Sequence, residues 1–419
     1  MKTVYLFFAA SRYWQDTAML NETYKELCMD IAENSCCRLV VDGDTQNLPE
    51  GDCLVAVPMS GAVQKNILEA ASHYESTILY GAYIRGNASS EACNEMLRCN
   101  AAPTLMDVWA VLHRTKQRTF LCLNKEELRK RVHIVEAYFK IRGATVLKIG
   151  QTEPWVISNA DDASVYEERF GIKIRCIPQE ELALLYREAT RKQAEPYYVH
   201  FKTSSTGCKE PDDDDLWNAS RMAWAIVTVM KRYEADAAAL ACFNLLKEGT
   251  NSCLGVSYVN DCTDMIVSCE GDVDSAVTML FMKQLTSMKL WMANPGLQPD
   301  DTVNFSHCTS PICCMGKKLP CILRNHHESG IGVSLQVDIP TGIPVTACRI
   351  SDNASKITVN RGTSIPGEYE NACRTQMHVR FEDMKHYIMT ALGCHQVFAF
   401  EDISEDVKEL AGLFGLEVL

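Results

Sequence analysis

Short apolar runs alternate with helical patterns over the first 115 residues. Strand-like runs such as "TVYLFFA" and "DCLVAVP" are each followed by a segment in which apolar residues recur at helical spacing, near 17–34 and 61–73. After the run "TILYGAY", two more helical patterns follow, near 89–99 and 103–114. This alternation is typical of βαβ units, so it predicts a mostly parallel sheet covered by helices on both faces.

A second series of the same kind begins at "RTFLCLN". It continues through an amphipathic helical pattern at 124–141, the strand-like "ATVLKIG" and "FGIKIRCI", and one helix predicted over "PQEELALLYREATRKQ". The acidic "EPDDDDLWNAS" is interpreted as an exposed loop that ends at a helix start near Trp217, because a helix N-terminus favours acids. A solvated run of charges explains this segment better than a metal site does. The strand "MIVSC" then precedes Glu270.

The pattern changes after about residue 300. Helical periodicity fades, and alternating runs such as "TVNFSH", "GVSLQVDIP" and "RTQMHVRF" are separated by Gly, Pro and Asn. These runs predict an antiparallel sheet or a small barrel, closed by a helix near 404–414. The predicted fold is therefore α/β: two doubly wound parallel-sheet domains, 1–116 and 117–298, followed by a β-rich domain, 299–419.

Composition narrows the class of protein. With 419 residues, 47% hydrophobic residues and 23% charged residues, the chain has the composition of a soluble globular protein, and no apolar stretch is long enough for a membrane span. The net charge of −13 argues against a nucleic-acid partner. The start, "MKTVYLFFAASRYW", imitates a secretory signal, but a first buried strand explains it better. Many of the 20 cysteines lie inside apolar runs, which indicates reduced thiols and a cytoplasmic location.

Polar side chains that could ligate a metal follow three successive strand-like runs. Glu270 comes directly after "MIVSC", the run in "MKLWMANPG" ends at Asn294, and "TVNFSH" ends at His307. In an open α/β sheet, ligands bind where the carboxyl ends of strands converge. A carboxylate, a carboxamide and an imidazole suit Mn²⁺ or Mg²⁺ better than a thiolate-bound zinc. From spacing alone, however, a charged residue in a turn also accounts for Glu270.

The other histidines and the clustered cysteines each have a simpler explanation. A lone histidine beside an apolar run, such as His307 or His395, is often a hydrogen-bonded core residue, and His326 lies in a turn that is expected to be exposed. The cysteines of "HCTSPICCMGKKLPC" lack the paired Cys-x-x-Cys spacing of a structural zinc site, so this segment alone does not predict one.

Read together, several segments resemble the L-fucose isomerase and L-arabinose isomerase superfamily. The residues that carry the resemblance are "SCEGDVDSAVTMLFMKQLT", "LWMANPGLQPDDTVNFSHCTSP" and, near the end, "ACRTQMHVRF" and "ALGCHQVFAFED". The segments "VPMSG" at 57–61 and "RGNASSEAC" at 85–93 resemble the shorter fucose-isomerase-like proteins. These segments follow the order of the superfamily and span nearly the whole chain.

The resemblance implies a fold, a reaction and a set of site residues. It implies two α/β domains and a β-rich domain, assembled as trimers or hexamers with active sites near subunit interfaces. The implied reaction is aldose–ketose isomerisation through a cis-enediol, assisted by a divalent metal, usually Mn²⁺. Glu270 matches the metal-binding, proton-transferring glutamate, and His307 and His395 match two histidine ligands. Asn294 matches a further ligand position.

One position departs from the superfamily pattern. The fucose and arabinose isomerases carry an acid where this chain has Asn294, and an asparagine carbonyl can ligate a metal but cannot act as a base. The second proton-transfer group must therefore come from elsewhere: a metal-bound water, Asp272 or His326.

The best-matching substrate is sulfoquinovose, because the chain resembles the shorter members of the superfamily, some of which isomerise this 6-sulfonated glucose. Its sulfonate would need an arginine or lysine fork. The candidate substrate-binding residues are Arg85, Asn87, Arg361 and Arg374. The alternatives are a neutral sugar such as L-fucose or L-arabinose, and a non-catalytic sugar-binding protein of the same fold. The expected partners are thus a small sugar and other copies of the chain, with no nucleic acid and no membrane.

Overall fold

The computed structural model describes two compact units of the chain, Met1–Phe139 and Lys140–Leu419. The described residues are 4–9 and 37–40, whose backbone alone is described, and 48, 50–81, 99–115, 118–160 and 162–419. Within these residues, no helix is both long enough and apolar enough to cross a membrane. The predicted helix near 17–34 and residues 89–98 of the helix predicted near 89–99 lie outside the described residues. The predicted division into three domains stays a prediction.

The first unit contains a parallel sheet of five strands in the order β2-β1-β3-β4-β5. Successive residues of β3 pack into two different apolar clusters, one that contains Val55 with Leu128 and one that contains Leu54 with Ile67. Side chains of a strand alternate between the faces of its sheet, so this sheet is covered on both faces. The strands and helices of this part of the chain are β1 (Val4–Ala9), β2 (Cys37–Val40), β3 (Cys53–Pro58), α1 (Gln64–Ser72), β4 (Ser76–Tyr80), α2 (Ala102–Arg114), β5 (Arg118–Cys122) and α3 (Lys125–Ile141).

The second unit begins with a parallel sheet of four strands in the order β10-β9-β6-β7. The mixed α/β class and the parallel sheets are as predicted, whereas the doubly wound arrangement stays a prediction. The elements of this region are β6 (Thr145–Ile149), α4 (Ser164–Phe170), β7 (Lys173–Ile177), α5 (Gln179–Glu188), α6 (Arg191–Ser204), β8 (Gly207–Cys208), α7 (Asp213–Arg232), β9 (Ala237–Leu240), a 3-10 helix (Phe243–Glu248), α8 (Cys253–Cys262), β10 (Ile266–Ser268) and α9 (Val273–Lys283).

The remainder of the second unit is dominated by an antiparallel, barrel-like sheet, as the alternating runs predict. Its strands follow the order β15-β18-β11-β12-β17-β16, and β15 also pairs with β16, so six strands close into a ring. A small separate sheet joins β14, β13 and β8. The elements are β11 (Trp291–Leu297), β12 (Val303–His307), β13 (Cys321–Arg324), β14 (Ser334–Val337), β15 (Pro344–Ser351), β16 (Lys356–Ile365), β17 (Thr375–Phe381), α10 (Met384–Met389), β18 (Gln396–Ala399), α11 (Ser404–Phe414) and β19 (Glu417–Val418).

Large apolar side chains of the ring strands pack together in one core. Phe305 of β12 contacts Phe398 of β18 at a ring-centroid distance of 4.6 Å and Phe381 of β17 at 5.8 Å. Trp291 of β11 belongs to the same core and is completely buried. Burial of an aromatic side chain of this size stabilises a fold by about 1.5–3 kcal/mol, so these residues hold the strands that present the candidate site.

Two helix boundaries differ from the predictions because side-chain caps decide them. The single helix predicted over 178–193 is two helices, since Thr190 caps the start of α6 and accepts a hydrogen bond from the backbone N–H of Gln193. The predicted exposed loop before Trp217 is shorter than expected. Asp212 caps α7, so the acidic run forms the first turn of the helix. Both caps satisfy backbone N–H groups that have no partner inside the helix.

The Asp212 cap predicts a measurable loss of stability. Asp212 Oδ1 accepts a hydrogen bond of 2.9 Å from the N–H of Asp215, so Asp212→Ala should lower the free energy of unfolding by about 1 kcal/mol. Asp214→Ala is the matched control, because Asp214 is in the same turn with an 86% exposed side chain and should change stability by less than about 0.5 kcal/mol. Urea unfolding of both variants measures the difference, and equal losses would contradict the cap.

Candidate metal centre

Glu270 lies in a tight turn at the carboxyl end of β10. Its φ of 61° is in the left-handed region that few residues other than glycine adopt, and Gly271 follows with a φ of 65°. Its carbonyl accepts a hydrogen bond of 3.0 Å from the N–H of Glu153. A Cβ on Gly271 would lie 2.8 Å from Thr152 Cα, so only glycine fits there. The neighbouring loop therefore enforces this left-handed backbone conformation, which sets the direction of the Glu270 side chain.

Three predicted ligands converge next to this turn. Glu270 Oε1 lies 3.4 Å from His395 Nε2 and 4.0 Å from His307 Nε2, and the three ligand atoms all lie within 4.8 Å of one another. The three side chains are buried. Neither Nε2 atom has a hydrogen-bond partner among the described residues, although both are buried. A buried polar atom without a partner costs about 1–3 kcal/mol, and a cation placed among these three atoms would remove that cost.

His395 is oriented by a buried carboxylate. Its Nδ1 lies 2.7 Å from Asp272 Oδ2, and Asp272 is completely buried. Because an ionised carboxylate only accepts hydrogen bonds, Nδ1 carries a proton and donates it, so Nε2 is the atom that can ligate a metal once it is deprotonated. The same Asp272 oxygen accepts a hydrogen bond of 2.9 Å from Arg349 Nη1. Asp272 thus positions a ligand and caps α9 through the N–H of Ser275.

His307 is oriented by a hydroxyl group. It is the last residue of β12, and its Nδ1 lies 2.8 Å from Thr309 Oγ1, which is also buried. When Nδ1–H donates to this hydroxyl, Nε2 presents its lone pair toward Glu270 and His395. Both histidines therefore have an outer partner of the kind that metal-binding histidines have in proteins.

Glu270 has one oxygen held and one oxygen available. Trp155 Nε1 donates a hydrogen bond of 2.6 Å to Oε2, whereas Oε1 is the atom that faces the two histidines. Trp155 packs edge-on against Phe243 at 4.8 Å, and Phe243 contacts the ring of His326 at 5.8 Å. The indole thus fixes the carboxylate and begins an aromatic row beside it.

The pKa shifts of these groups follow from burial and from their mutual charges. Burial raises the pKa of Glu270, but the interactions with His395, His307 and Trp155 outweigh it and bring that pKa below its usual value. Burial lowers the pKa of His307 to about 4, so this imidazole is neutral at neutral pH. Burial also lowers the pKa of His395, but its contacts with Asp272, Cys394 and Glu270 raise it well above the usual value. An ionised Glu270 and a neutral His307 are the protonation states that a cation requires, and a cation that binds would displace the proton that His395 holds on Nε2.

A fully buried ion pair supports the site from behind. Arg349 of β15 and Asp272 have no exposed side-chain surface, and Asp274 Oδ2 lies 3.7 Å from Arg349 Nη2. Burial raises the pKa of Asp274 to about 6, and its carboxylate accepts hydrogen bonds of 2.6 Å from Tyr166 and Ser351. These contacts join the loop after β10 to the barrel strand β15.

The other predicted ligand, Asn294, and the predicted proton-transfer residues, Asp272 and His326, have different surroundings. Asn294 is half-buried inside β11, which continues to Leu297 rather than ending at Asn294; it pairs with Ser306, next to His307. Its role as a ligand stays a prediction. Asp272 is committed to Arg349 and His395, and half-buried His326 bonds Ser329 through Nδ1 at 3.0 Å.

The predicted substrate-binding arginines have different surroundings. Arg374 is half-buried, donates a hydrogen bond of 2.9 Å to the carbonyl of Asn325, and immediately precedes Thr375, which pairs with His307. Arg361 is exposed and forms ion pairs with Glu382 at 3.5 Å and Asp402 at 3.0 Å. Arg85 and Asn87 lie outside the described residues.

Two residues of this centre were missed by the sequence analysis. Glu153 and Trp155 follow β6, which belongs to the same parallel sheet as β10. Glu153 is only 7% exposed and accepts a hydrogen bond of 3.1 Å from the N–H of Phe243. Burial, with a further contribution from the charge of Glu270, raises its pKa against the hydrogen bonds from Phe243 and Cys242. The rule that ligands collect at strand ends could have singled out the acid and the indole in "GQTEPW".

No model of a protein family matches the chain, and no curated protein is significantly similar to it. The residues of the centre are therefore the basis for a proposed function. Glu270, His307 and His395 form a buried cluster that could hold a metal ion.

The histidine geometry predicts how substitutions change metal affinity. His307→Ala should weaken Mn²⁺ binding by more than about 100-fold, and Thr309→Val, which removes only the outer partner of His307, should weaken it by about 10- to 100-fold. His386→Ala is the matched control, because His386 is an exposed histidine of the same region. Isothermal titration with Mn²⁺ measures all three. Unchanged affinity in His307→Ala would rule out this metal centre.

The buried ion pair predicts a large difference between two arginines. Arg349→Leu leaves Asp272 and Asp274 buried without their cation, so it should lower the free energy of unfolding by about 3–5 kcal/mol. Arg361→Leu breaks only exposed pairs and should cost about 0–1 kcal/mol. Urea unfolding compares the two variants, and similar midpoints would show that Arg349 does not stabilise the second unit.

Proposed function

We propose that the chain is a metal-dependent aldose–ketose isomerase that acts through a cis-enediol. The observation that carries the proposal is the convergence of Glu270 Oε1 with the partnerless Nε2 atoms of His307 and His395 in a buried cluster. The same three residues are those that the resemblance to the fucose and arabinose isomerases implies. Their convergence from distant parts of the chain supports that resemblance.

The three residues would hold the metal while their outer partners keep them in place. A divalent cation would stabilise the negative charge that develops on the two oxygens of the enediol. Two neutral imidazoles and one carboxylate leave much of the charge of the cation uncompensated. The donor set suits several divalent ions, and Mn²⁺ is proposed because the superfamily usually uses it.

Glu270 is the proposed proton-transfer group. Its Oε2 is held by Trp155 at 2.6 Å, so the carboxylate has a fixed orientation in a site from which water is largely excluded. A carboxylate in such a place can remove the proton from the carbon next to the substrate carbonyl and return it to the neighbouring carbon.

The second proton-transfer group is proposed to be His326 or Glu153. Asp272 is less suited, because Arg349 and His395 occupy its carboxylate in a fully buried place. His326 is half-buried and lies in the aromatic row that begins at Trp155. Glu153 supplies a second carboxylate beside the Glu270 turn, a group that the amide side chain of Asn294 lacks.

For the substrate, we propose sulfoquinovose, with 6-deoxy-6-sulfofructose as the product. Arg374 is better placed than Arg361 to receive a sulfonate, because it adjoins the strand residue that pairs with His307 and donates hydrogen bonds to Asn325, whereas Arg361 is paired with Glu382 and Asp402. A neutral sugar such as L-fucose or L-arabinose is the alternative substrate. We also propose that the protein is cytoplasmic and assembles as a trimer or hexamer.

A non-catalytic sugar-binding protein of the same fold is the second candidate function. The presence of Asn294 in place of the acid of the superfamily favours it, since an amide cannot move a proton. Metal-dependent turnover distinguishes the two candidates.

A substrate panel tests the proposal directly. The purified protein with Mn²⁺ should convert one member of a panel containing sulfoquinovose, L-fucose and L-arabinose to its ketose, as followed by NMR. Added chelator should stop the reaction. Binding of a panel sugar without conversion would favour the non-catalytic function, and conversion that persists in chelator would refute the role of the metal.

Glu270→Gln tests the residue assignment. Loss of proton transfer should lower kcat by about 10²- to 10⁴-fold, because the amide cannot accept a proton. Glu168→Gln, on an exposed position of α4, is the control and should leave kcat unchanged. Glu270→Gln that folds normally and retains full activity would refute the role of Glu270. Glu153→Gln and His326→Gln, assayed in the same way, decide between the two candidates for the second group.

A further inference from the structure

We propose that the chain holds a second, structural metal ion, a zinc, between His200, Asp261, Cys262 and Cys313. None of these residues belongs to the Glu270 centre. They come from the end of α6, the end of α8 and the segment between β12 and β13. The inference does not depend on the proposed isomerase activity.

Three of the four ligand atoms already lie close together. One ligand atom from each of His200, Asp261 and Cys262 lies within 4.8 Å of the others. His200 Nε2 is 3.7 Å from Cys262 Sγ, a separation of the size expected for two ligands that share a tetrahedral zinc at about 2.0–2.3 Å from each. Asp261 is only 7% exposed, which fits a carboxylate that a cation would neutralise.

Cys313 brings a fourth donor to the same carboxylate. Its backbone N–H donates a hydrogen bond of 2.9 Å to Asp261 Oδ1, and burial together with the nearby Asp261 charge raises the pKa of its thiol. When the Cys313 thiol turns toward the other three ligand atoms, two thiolates, one imidazole and one carboxylate complete a closed, four-coordinate zinc. Because this set contains soft sulfur donors, it differs from the sulfur-free set of Glu270, His307 and His395, which suits a harder ion.

The surroundings compensate the charges of such a site. Two thiolates and a carboxylate around Zn²⁺ leave a net negative charge, and Lys289 and Lys318 lie near enough to act on Cys313 electrostatically. Cys262 is the last residue of α8, where the negative end of the helix dipole favours a cation. The His200 ring packs edge-on against Phe201 at 5.0 Å and Tyr258 at 5.2 Å, so its orientation is fixed.

The position of the site gives it a structural task. The segment that contains Cys313 begins immediately after His307, and Ser257 of α8 donates a hydrogen bond of 2.7 Å to the carbonyl of Ser310 in that segment. A zinc bound to Cys313 would link α6 and α8 to the segment that follows His307. It would hold this segment against the two helices.

Cobalt substitution tests the proposal and separates it from the Glu270 centre. Reduced, chelator-treated protein carrying His395→Ala is titrated with Co²⁺, which gives a thiolate-to-cobalt charge-transfer band only where cysteines ligate it. We expect this band to saturate at a single equivalent and to be displaced by Zn²⁺. Cys262→Ser and Cys313→Ser should each weaken the binding by more than about 100-fold. Cys176→Ser, at an exposed cysteine of β7, is the matched control and should keep the band.

A measurement on the unaltered protein covers the case in which a cysteine variant fails to fold. Zn²⁺ should slow the alkylation of Cys262 and Cys313 by iodoacetamide, read by peptide mass spectrometry, while the rate at Cys176 stays the same. Absence of the charge-transfer band, its persistence in both folded serine variants, or unprotected Cys262 and Cys313 would each overturn the proposal.

Discussion

The buried ion pair between Arg349 and Asp272 is the interaction on which the candidate metal centre depends. Arg349 belongs to the barrel, whereas Asp272 belongs to the turn that follows the parallel sheet, so the pair connects the two layers that supply the ligands. Asp272 also holds His395 through Nδ1 and caps α9. Two opposite charges without exposed surface are unfavourable to bury unless each has a full set of partners. The serine, histidine and carboxylate groups around them supply these partners to all but Arg349 Nε, which has none among the described residues, and the position of His395 is a by-product of that requirement.

Glu270 depends on a different constraint, the close approach of two loops of one parallel sheet. The left-handed backbone at Glu270 and Gly271 lets the turn pass next to Thr152, and the same loop supplies the indole of Trp155 to the carboxylate. The centre thus combines a loop pair of an α/β sheet with two histidines of a barrel. Neither layer by itself contains a complete set of ligands.

The sequence predicted the parts of the structure that local patterns control. The βαβ rhythm, the change to antiparallel strands after residue 300 and the helix at Ser404–Phe414 follow from periodicity and agree with the structure. Glu270 and two histidines were predicted to be ligands, partly because ligands bind at the ends of strands. Periodicity does not report which distant segments meet, so it could not place Glu153 beside Glu270 or Cys313 beside Asp261. The cysteine spacing within "HCTSPICCMGKKLPC" disfavoured a zinc site because the other proposed zinc ligands lie outside this segment, in α6 and α8.

The closed ring of six strands has a consequence for how selective the centre can be. His307 ends β12, His395 precedes β18, and β11 pairs with both of these strands. In an open sheet an outer strand can slide or peel away to suit a larger ion, but in a ring every strand is held on both sides. The distance between the two imidazoles is therefore set by the barrel before any ion arrives. Because Trp155 also holds the Glu270 carboxylate, all three ligand atoms are fixed in advance, and the centre should select the ion whose radius fits the space between them.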